Sequence, residues 1–204
     1  MQKGRQMKHI KIDGKSDLVL FLLHGTGGDK ESLLSITQYI SPDATLIGLD
    51  GTVMEQGMRR YFSRYADGSF DLESLKEGTD LVQTTIQGLV AEYGLENKKI
   101  GLLGYSNGAN LAVNLLKEYE TDYDYAILFH PSPGRAAAPF KPQSKLKVLA
   151  TSGVNDPYIS ELEFKQLTDA LEQASIKTET LTHEQGHSLT QAELSSAKQF
   201  LSES

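Results

Sequence analysis

A serine flanked by glycines is the feature of this sequence that most strongly suggests chemistry. Residues Gly104-Tyr105-Ser106-Asn107-Gly108 follow a short apolar segment and precede a segment with helical apolar spacing. A serine hydroxyl becomes a useful nucleophile when it stands clear of the backbone beside a base. A sharp strand-to-helix turn provides that exposure, and glycines two residues to either side make the turn possible. The pattern predicts Ser106 as a nucleophile, in preference to a glycine-rich turn with a purely structural role.

A nucleophilic serine needs a base and a group that orients the base. We predict His187 as the base, because it lies between the last predicted strand and the last helix. Asp156 follows another predicted strand, and we predict it as the orienting acid. Its carboxylate is expected to raise the pKa of His187 above the ordinary value of about 6.5. Asp124 is the next candidate for this acid, since it precedes a neighbouring strand.

Acyl transfer also requires donors for the negative oxygen of the tetrahedral intermediate. The backbone N–H of Asn107, directly after the predicted nucleophile, is one expected donor. The glycine-rich run His24-Gly25-Thr26-Gly27-Gly28 follows the first long apolar segment, and we predict the Thr26 N–H as the second donor. His24 itself is interpreted chiefly as a structural residue beneath this loop.

Several side chains beyond the triad are candidates for contact with a substrate. The long segment 50–70 carries Arg59, Arg60 and Arg64 beside Asp67 and Asp71. We interpret these charges as ion pairs that hold the loop, and the alternative is a clamp for a substrate carboxylate or phosphate. The candidate substrate contacts are His24, Arg59, Arg60, Tyr61, His130 and Tyr158.

A zinc-protease pattern competes with the serine interpretation. Residues His183-Glu184-Gln185-Gly186-His187 match His-Glu-x-x-His. That motif needs one helix, so that both histidines share a face. The preceding segment Ile176–Leu181 is predicted as strand, and Gly186 disfavours a helix. We therefore predict no metal site and no cofactor.

Strands and helices are predicted to alternate along the whole chain. Uniformly apolar segments such as Leu18–Leu23 indicate strands buried on both faces of a parallel sheet. Asp71 is predicted to cap a long helix that ends near Gly94. The predicted strands are Lys8–Ile12, Leu18–Leu23, Thr45–Leu49, Lys99–Leu103, Tyr125–Phe129, Lys147–Thr151 and Lys177–Leu181, and the other predicted helices are Ser32–Ile40, Asn107–Tyr119, Ser160–Ala174 and Leu189–Leu201. Segment 50–70 is expected to be irregular, and 130–146 to form a proline-rich loop. The fold class is therefore α/β, with a mostly parallel sheet and helices on both faces.

Composition excludes several classes of protein. The 204 residues carry a net charge of −7, which argues against nucleic acid or an anionic membrane as partner. The absence of cysteine excludes disulfides, thiolate metal sites and a cysteine nucleophile. The longest apolar run, Leu18–Leu23, is far too short to cross a membrane. We expect a cytoplasmic protein with one domain at 8–204 and an N-terminal tail at 1–7, whose native start is either Met1 or Met7.

Taken together, these motifs resemble the phospholipase/carboxylesterase family of α/β-hydrolases. The oxyanion run, the serine turn, Gly153-x-x-Asp156-Pro157 and Gly186-His187 carry the resemblance over about residues 17–203. Segment 55–71 is similar to the small bacterial carboxylesterase branch, which includes hydroquinone-inducible esterases. The resemblance implies a single-domain α/β-hydrolase without a large cap domain, a Ser106-Asp156-His187 triad, no cofactor, and a small-molecule ester as substrate.

The resemblance leaves the substrate class open. Tyr158 replaces the small aliphatic residue usual in the family, and Asn107 replaces the glutamine usual in acyl-protein thioesterases. The sequence predicts a serine carboxylesterase acting on small esters. A lysophospholipase or acyl thioesterase with the same triad is the alternative, and a zinc metalloprotease or a non-catalytic ligand receptor is more remote. The oligomeric state stays open, a homodimer included.

Overall fold

Strands and helices alternate along residues 7–203, the part of the chain that the computed structural model describes. The strands are β1 (His9–Ile12), β2 (Leu18–Leu23), β3 (Thr45–Leu49), β4 (Val53–Glu55), β5 (Met58–Arg60), β6 (Lys99–Tyr105), β7 (Tyr125–Phe129), β8 (Lys147–Gly153) and β9 (Lys177–His183). The helices are α1 (Leu34–Ile40), α2 (Leu72–Glu92), α3 (Asn107–Glu118), α4 (Glu161–Gln173) and α5 (Gln191–Ser202).

Seven of these strands form one sheet in the order β1-β3-β2-β6-β7-β8-β9. Strand β1 pairs antiparallel with β3, and every other neighbouring pair in the sheet is parallel. The carboxyl ends of six strands therefore meet at one edge of the sheet. In open α/β sheets that edge is where ligands bind.

Both faces of the sheet are covered by helices, because successive strand residues point to opposite sides. In β6, Leu102 packs in the core beneath α2, α3 and α4, whereas Leu103 packs in the core beneath α1 and α5. Both leucines are fully buried. This arrangement explains why the central strands read as continuous apolar runs.

The helices begin where the sequence supplies caps. The Asp71 side chain accepts hydrogen bonds from the N–H groups of Glu73 and Ser74 at the start of α2. Helices α4 and α5 each begin with a capping box, formed by Ser160 with Glu163 and by Thr190 with Glu193. Such boxes satisfy backbone donors that the first helical turn leaves free.

The fold class predicted from sequence is confirmed, with one local correction. The segment 50–70, predicted to be irregular, contains a hairpin of β4 and β5. Its two-residue turn at Gln56 and Gly57 has φ values of 50° and 77°. Positive φ at both positions matches the twist of paired strands, but a glutamine there gave little sequence signal.

The N-terminal tail predicted at 1–7 lies outside the described residues except for Met7. The Met7 side chain is buried in the core beneath α2, and its N–H donates to Thr85 Oγ1 at 3.3 Å. The boundary between tail and domain stays a prediction. Among residues 7–203, no helix combines the length and the apolar character needed to cross a membrane.

Candidate active site

The three residues predicted to form a triad lie at the carboxyl edge of the sheet. Ser106 directly follows β6, Asp156 follows β8, and His187 follows β9. Residues far apart in sequence are therefore brought together by strands that run in parallel. The loops of Asp156 and His187 are also tied to each other, since Val154 N–H donates to His183 C=O at 2.8 Å.

Ser106 occupies a strained backbone conformation between strand and helix. Its φ and ψ are 52° and −114°, a combination that L-residues rarely adopt. A Cβ atom at Gly108 would lie 2.0 Å from the Leu23 carbonyl oxygen, and one at Gly104 would lie 2.8 Å from Ala109 Cα. Both glycines are therefore required for α3 to approach the sheet this closely. The turn is the one expected for an exposed nucleophile.

A continuous chain of hydrogen bonds joins the serine to the carboxylate. His187 Nε2 lies 2.8 Å from Ser106 Oγ, and His187 Nδ1 lies 2.6 Å from Asp156 Oδ2. The other carboxylate oxygen accepts from Tyr158 N–H at 2.9 Å. With a proton on Nδ1 toward Asp156, Nε2 of His187 is free to accept the serine proton.

The pKa values of the base and the acid are both lower than usual. Burial lowers the pKa of His187, and the hydrogen bond and charge of Asp156 oppose this without overcoming it. Positive charge on His130 and Arg64 lowers the same pKa further. The predicted rise in this pKa is therefore wrong. For Asp156, burial raises the pKa, but hydrogen bonds led by that from His187 lower it below its ordinary value.

Thr26 N–H, the donor predicted from the sequence, is one of the backbone donors in the run His24–Gly28 that lack an acceptor within the described part of the chain. Gly27 N–H donates to Arg59 C=O at 2.8 Å, and Gly28 N–H donates to Gly25 C=O at 3.1 Å. Thr26 N–H, between them, has no acceptor among residues 7–203. Asn107 is the first residue of α3, and the N–H groups of a first turn lack intrahelical acceptors. Both predicted oxyanion donors are therefore free to bind a ligand.

Four candidate substrate contacts are buried and make their contacts within the protein, which agrees with the structural interpretation of His24 and Arg60 and removes the expected exposure of His130. His24, Arg60, Tyr61 and His130 are each at most 5% exposed. Three of them hold the oxyanion region in place. Arg60 donates to Thr26 Oγ1 at 2.9 Å, Tyr61 N–H donates to Asn107 Oδ1 at 2.8 Å, and Gly51 N–H lies 3.0 Å from His24 Nε2.

Arg59 and Arg60 pair with acids other than those expected. Arg60 Nε lies 3.2 Å from Glu55, and Arg59 lies 3.7 Å from Asp50 and donates to Gly51 C=O. The acids predicted beside them serve local turns: Asp67 accepts from Ser69, and Asp71 caps α2. The interpretation of these two arginines as structural ion pairs agrees with the geometry, although the partners differ.

His130 lies behind the triad and is fully buried. Its Nδ1 is 2.9 Å from Asp156 Oδ2, and its Nε2 is 3.0 Å from Glu193 Oε1. Glu193 belongs to α5 and also accepts from Thr151 Oγ1 at 2.6 Å. Sequence reasoning missed Glu193, because its only local signal was the capping box that it forms with Thr190.

Among residues 7–203, two groups of side chains have atoms of metal-ligand type within 4.8 Å of one another. They are His130 with Asp156 and His187, and His130 with His183 and Glu193. These atoms already contact each other at 2.6–3.1 Å. The pattern His183–His187 is not helical, since β9 runs through His183 and His187 follows in a loop. The helical geometry of the zinc-protease motif is therefore missing at residues 183–187.

A cleft of about 380 Å³ opens beside His187. Tyr158 lies on its rim, 65% exposed, with its ring centroid 4.8 Å from that of His187. Arg64 lines the same cleft. Of the predicted substrate contacts, Tyr158 keeps that role as a prediction. From the sequence, Arg64 is interpreted as part of a loop held by ion pairs, with a clamp for a substrate carboxylate or phosphate as the alternative.

Comparison with known proteins gives consistent matches over nearly the whole chain. The phospholipase/carboxylesterase family model matches residues 9–204. MhqD of Bacillus subtilis (strain 168), named as a hydrolase, is 36% identical over 197 residues, which cover 97% of this chain and 98% of MhqD.

Solved structures agree with the family match. The Bacillus cereus carboxylesterase has a TM-score of 0.93 at 35% identity, covering 99% of this chain and 96% of that one. YahD, solved with malic acid, has a TM-score of 0.90 at 32% identity, covering 97% and 99%. The chain is therefore a serine ester hydrolase of the α/β-hydrolase fold, and it belongs to the phospholipase/carboxylesterase family.

Proposed function

We propose that this protein hydrolyses small carboxylic esters with Ser106 as nucleophile, His187 as base and Asp156 as orienting acid. The observation that carries the proposal is the position of His187, whose ring nitrogens contact Ser106 Oγ and Asp156 Oδ2 at 2.8 and 2.6 Å. The free N–H groups of Thr26 and Asn107 supply the expected oxyanion donors.

Acyl transfer proceeds in two steps. Ser106 Oγ forms a bond to the ester carbonyl carbon while its proton moves to His187 Nε2, and the oxyanion accepts from Thr26 and Asn107 N–H. The carbon–oxygen bond to the alcohol then breaks, and the alcohol leaves with the proton from His187. In the second step water attacks the acyl-enzyme, His187 takes its proton, and the acid leaves as Ser106 regains its hydrogen.

Site size supports short acyl chains. The cleft beside His187 holds about 380 Å³, and no segment of residues 7–203 forms a separate cap domain over it. A series of ester and thioester substrates of increasing acyl length would separate an esterase from a lysophospholipase or an acyl thioesterase. Because YahD was solved with malic acid, esters of small dicarboxylic acids belong in that series.

Removal of the Ser106 hydroxyl tests the proposal directly. Ser106→Ala should lower kcat for a short-chain 4-nitrophenyl ester by up to about 10⁶-fold, the scale known for serine-protease nucleophiles. A fluorophosphonate should label the wild-type protein once, at Ser106. Ser144→Ala, at an exposed loop position, is the matched control and should keep full activity. Labelling at another residue, or turnover by the Ser106 variant, would contradict the assignment.

Metal removal distinguishes the serine mechanism from the zinc alternative. Ester hydrolysis should persist after exhaustive treatment with a strong chelator, because no step uses a metal ion. Elemental analysis of the same sample would give its zinc content. Loss of activity on chelation, with recovery on addition of zinc, would favour the metal mechanism instead.

A further inference from the structure

We propose that Arg64 forms a binding site for a carboxylate of the substrate, so that the preferred esters carry a negative charge. This inference rests on the proposed function, since it concerns the cleft beside His187. Arg64 differs from its neighbours Arg59 and Arg60, because both of those arginines have ion-pair partners.

The Arg64 guanidinium lacks a direct partner, although the Glu55 carboxylate, which pairs with Arg60, acts on it from a longer distance and raises its pKa. No described residue forms an ion pair or a hydrogen bond with it, and its Nε is shielded from solvent without an acceptor. Phe70 packs against one side, with its ring centroid 5.5 Å from the guanidinium carbon. A buried donor without an acceptor is costly, and burial lowers the pKa of Arg64. A ligand with an acceptor would remove this cost.

The remaining lining of the cleft favours an anion over a cation. Asn110, 4% exposed, accepts from Ser132 N–H at 2.7 Å through its amide oxygen. Its NH₂ group is thus a second donor, with no acceptor among residues 7–203. Glu163 is a carboxylate in the same lining; its Oε2 accepts from the N–H and hydroxyl of Ser160 at the start of α4, and its negative charge remains. Arginine and carboxylate pair through two parallel hydrogen bonds, which makes a carboxylate the best-matched group.

Arg64 also lies close enough to act on the reacting groups. It lines the same cleft as His187, and its charge lowers the pKa of that histidine. A substrate whose ester is held at Ser106 can therefore extend a carboxylate toward Arg64. A dicarboxylic monoester, or an ester of a hydroxy acid, has this shape.

The test compares charged and neutral esters of the same size. Methyl hydrogen succinate against methyl butyrate places the charge on the acyl side, and butyryloxyacetate against propyl butyrate places it on the alcohol side. Hydrolysis is followed by pH-stat titration, and the readout is the ratio of kcat/KM for the charged ester to that for the neutral one. The pair of esters with the higher ratio shows whether the acyl side or the alcohol side of the substrate faces Arg64.

For one of the two pairs of esters, Arg64→Gln should lower this ratio by about tenfold to a hundredfold, the range expected for a hydrogen bond to a charged group. Arg64→Lys should restore part of it. Lys165→Gln is the matched control, because Lys165 is exposed on α4 and pairs with Asp169. Equal ratios in wild-type and Arg64→Gln proteins would overturn the anion site and leave the esterase intact. Absence of hydrolysis and of Ser106 labelling would overturn the esterase itself.

A second observation, independent of the cleft, concerns the buried side of the triad. We infer that the series of side-chain contacts Ser106–His187–Asp156 continues through His130 to Glu193. In this series His130 is a positioning residue for the Asp156 carboxylate. Asp156 Oδ2 is shared by two imidazoles, with His187 at 2.6 Å and His130 at 2.9 Å.

A cationic His130 ring would carry its positive charge between two carboxylates: Nδ1 forms a hydrogen bond with Asp156, and Nε2 lies close to Glu193 without hydrogen-bond geometry. Asp156 and Glu193 have fully buried side chains, and they flank the ring at 2.9 and 3.0 Å. Burial lowers the pKa of His130, but the two carboxylates, Glu193 first, raise it by more. The positive φ of His130, 54°, is an uncommon conformation that places the ring between them.

Other polar rings also face His130. Those of His183, His187 and Tyr105 have centroids 5.3, 5.0 and 5.9 Å away. His183 Nε2 lies 3.1 Å from Glu193 Oε2 without hydrogen-bond geometry, so two imidazole rings lie beside the glutamate, whose hydrogen-bond donors are Thr151 and Thr190. The pair of carboxylates would carry two uncompensated negative charges without the cation, and like charges in a buried site repel.

Replacement of His130 should change both kcat and the pH profile, whereas loss of a purely structural residue would not move the pH profile. His130→Gln should lower kcat by about tenfold to a hundredfold, the effect of a small misplacement of catalytic groups. The midpoint of the kcat/KM pH profile should move to higher pH, because the His130 charge that lowers the pKa of His187 is gone. His9→Gln, near the start of the chain, is the matched control. A fall in kcat with an unmoved midpoint would contradict the inference.

A measurement on the wild-type protein covers the case in which the variant does not fold. Nitrogen-15 NMR distinguishes singly from doubly protonated histidine rings. The His130 ring should still be mainly doubly protonated at about pH 6.5, the ordinary histidine midpoint, because its pKa is raised. A singly protonated His130 ring at that pH would overturn the inference.

Discussion

His187 titrates in a site where burial and its charged neighbours act in opposite directions. Burial is the largest influence and lowers its pKa, the Asp156 carboxylate raises it, and the charges of His130 and Arg64 lower it again. A base must be neutral to accept the serine proton. The lowered pKa therefore keeps His187 competent at a more acidic pH than an unperturbed histidine would allow.

The pH profile should show this effect. In the wild-type protein, kcat/KM should rise with pH through a midpoint below about 6.5. Asp156→Asn removes the carboxylate that raises the pKa of His187, so the midpoint should move lower still. The variant should also lose up to about 10⁴-fold in kcat, the effect known from serine proteases whose triad acid is replaced. Steady-state kinetics from pH 5 to pH 8 would measure both changes.

Asp124→Asn is the control for that experiment and should keep wild-type turnover. Asp124 precedes β7 at the amino edge of the sheet, where it accepts from Ile100 N–H at 2.9 Å and pairs with Lys145 at 3.2 Å. A midpoint in the Asp156 variant that equals or exceeds the wild-type value would contradict the assigned role of the carboxylate.

Individual site residues differed in how far sequence could predict them. Ser106, Asp156 and His187, which the structure brings together, could be picked out because each lies in a loop after a predicted strand, and strand ends are local signals. His130 lies between Asp156 and Glu193, which are 26 and 63 positions away from it in the sequence. No local sequence pattern indicates contacts between residues so far apart. The pKa of His187 was misjudged because burial, its largest cause, is a tertiary property.

The hairpin of β4 and β5 supports the oxyanion region. Its second strand ends at Arg60, which donates to Thr26 Oγ1 at 2.9 Å and to Phe62 C=O at 3.0 Å. Arg59 C=O accepts from Gly27 N–H at 2.8 Å. The hairpin therefore fixes the loop that carries the Thr26 donor. The sequence favoured a structural role for the arginines of this segment, but it gave no sign that Arg60 contacts the loop of Thr26, because the two lie 34 positions apart.

Replacement of Arg60 should weaken catalysis more than binding. In Arg60→Met the hydroxyl of Thr26 loses its donor, so the oxyanion loop is less firmly held. We expect kcat to fall by about tenfold to a hundredfold, less than the 10²–10³ known for removal of a whole oxyanion donor, while KM changes little. Met54→Ala, on the exposed face of the same hairpin, is the control. An increase in KM at constant kcat would instead favour a substrate contact for Arg60.

Element boundaries were predictable where caps and apolar runs were both present. Strand β2 matches its predicted range Leu18–Leu23 without change, and Asp71 caps α2 as expected. Strands β6, β8 and β9 extend two residues beyond the predicted ends, because pairing in the sheet continues past the apolar run. Those extensions include Tyr105 and His183, both of which lie near the active site.

The whole molecule depends on one sheet that contributes to two cores. Leu102 and Leu103 are neighbours in β6, are both fully buried, and pack on opposite faces of the sheet. Unfolding of the sheet would expose the buried residues of both cores. The helical layers on its two faces should therefore unfold together. Proteins of this kind commonly show a single cooperative transition.

A matched set of leucine variants tests this coupling. Leu102→Ala and Leu103→Ala should each lower the free energy of unfolding by about 2–5 kcal/mol, since each removes buried methyl groups and leaves a cavity. Leu162→Ala, at a position 66% exposed on α4, should change it by less than about 0.5 kcal/mol. Urea unfolding followed by circular dichroism and by tyrosine fluorescence should give one coincident transition for every variant. Two separate transitions in either core variant would mean that the helical layers unfold independently, and that the sheet does not couple them.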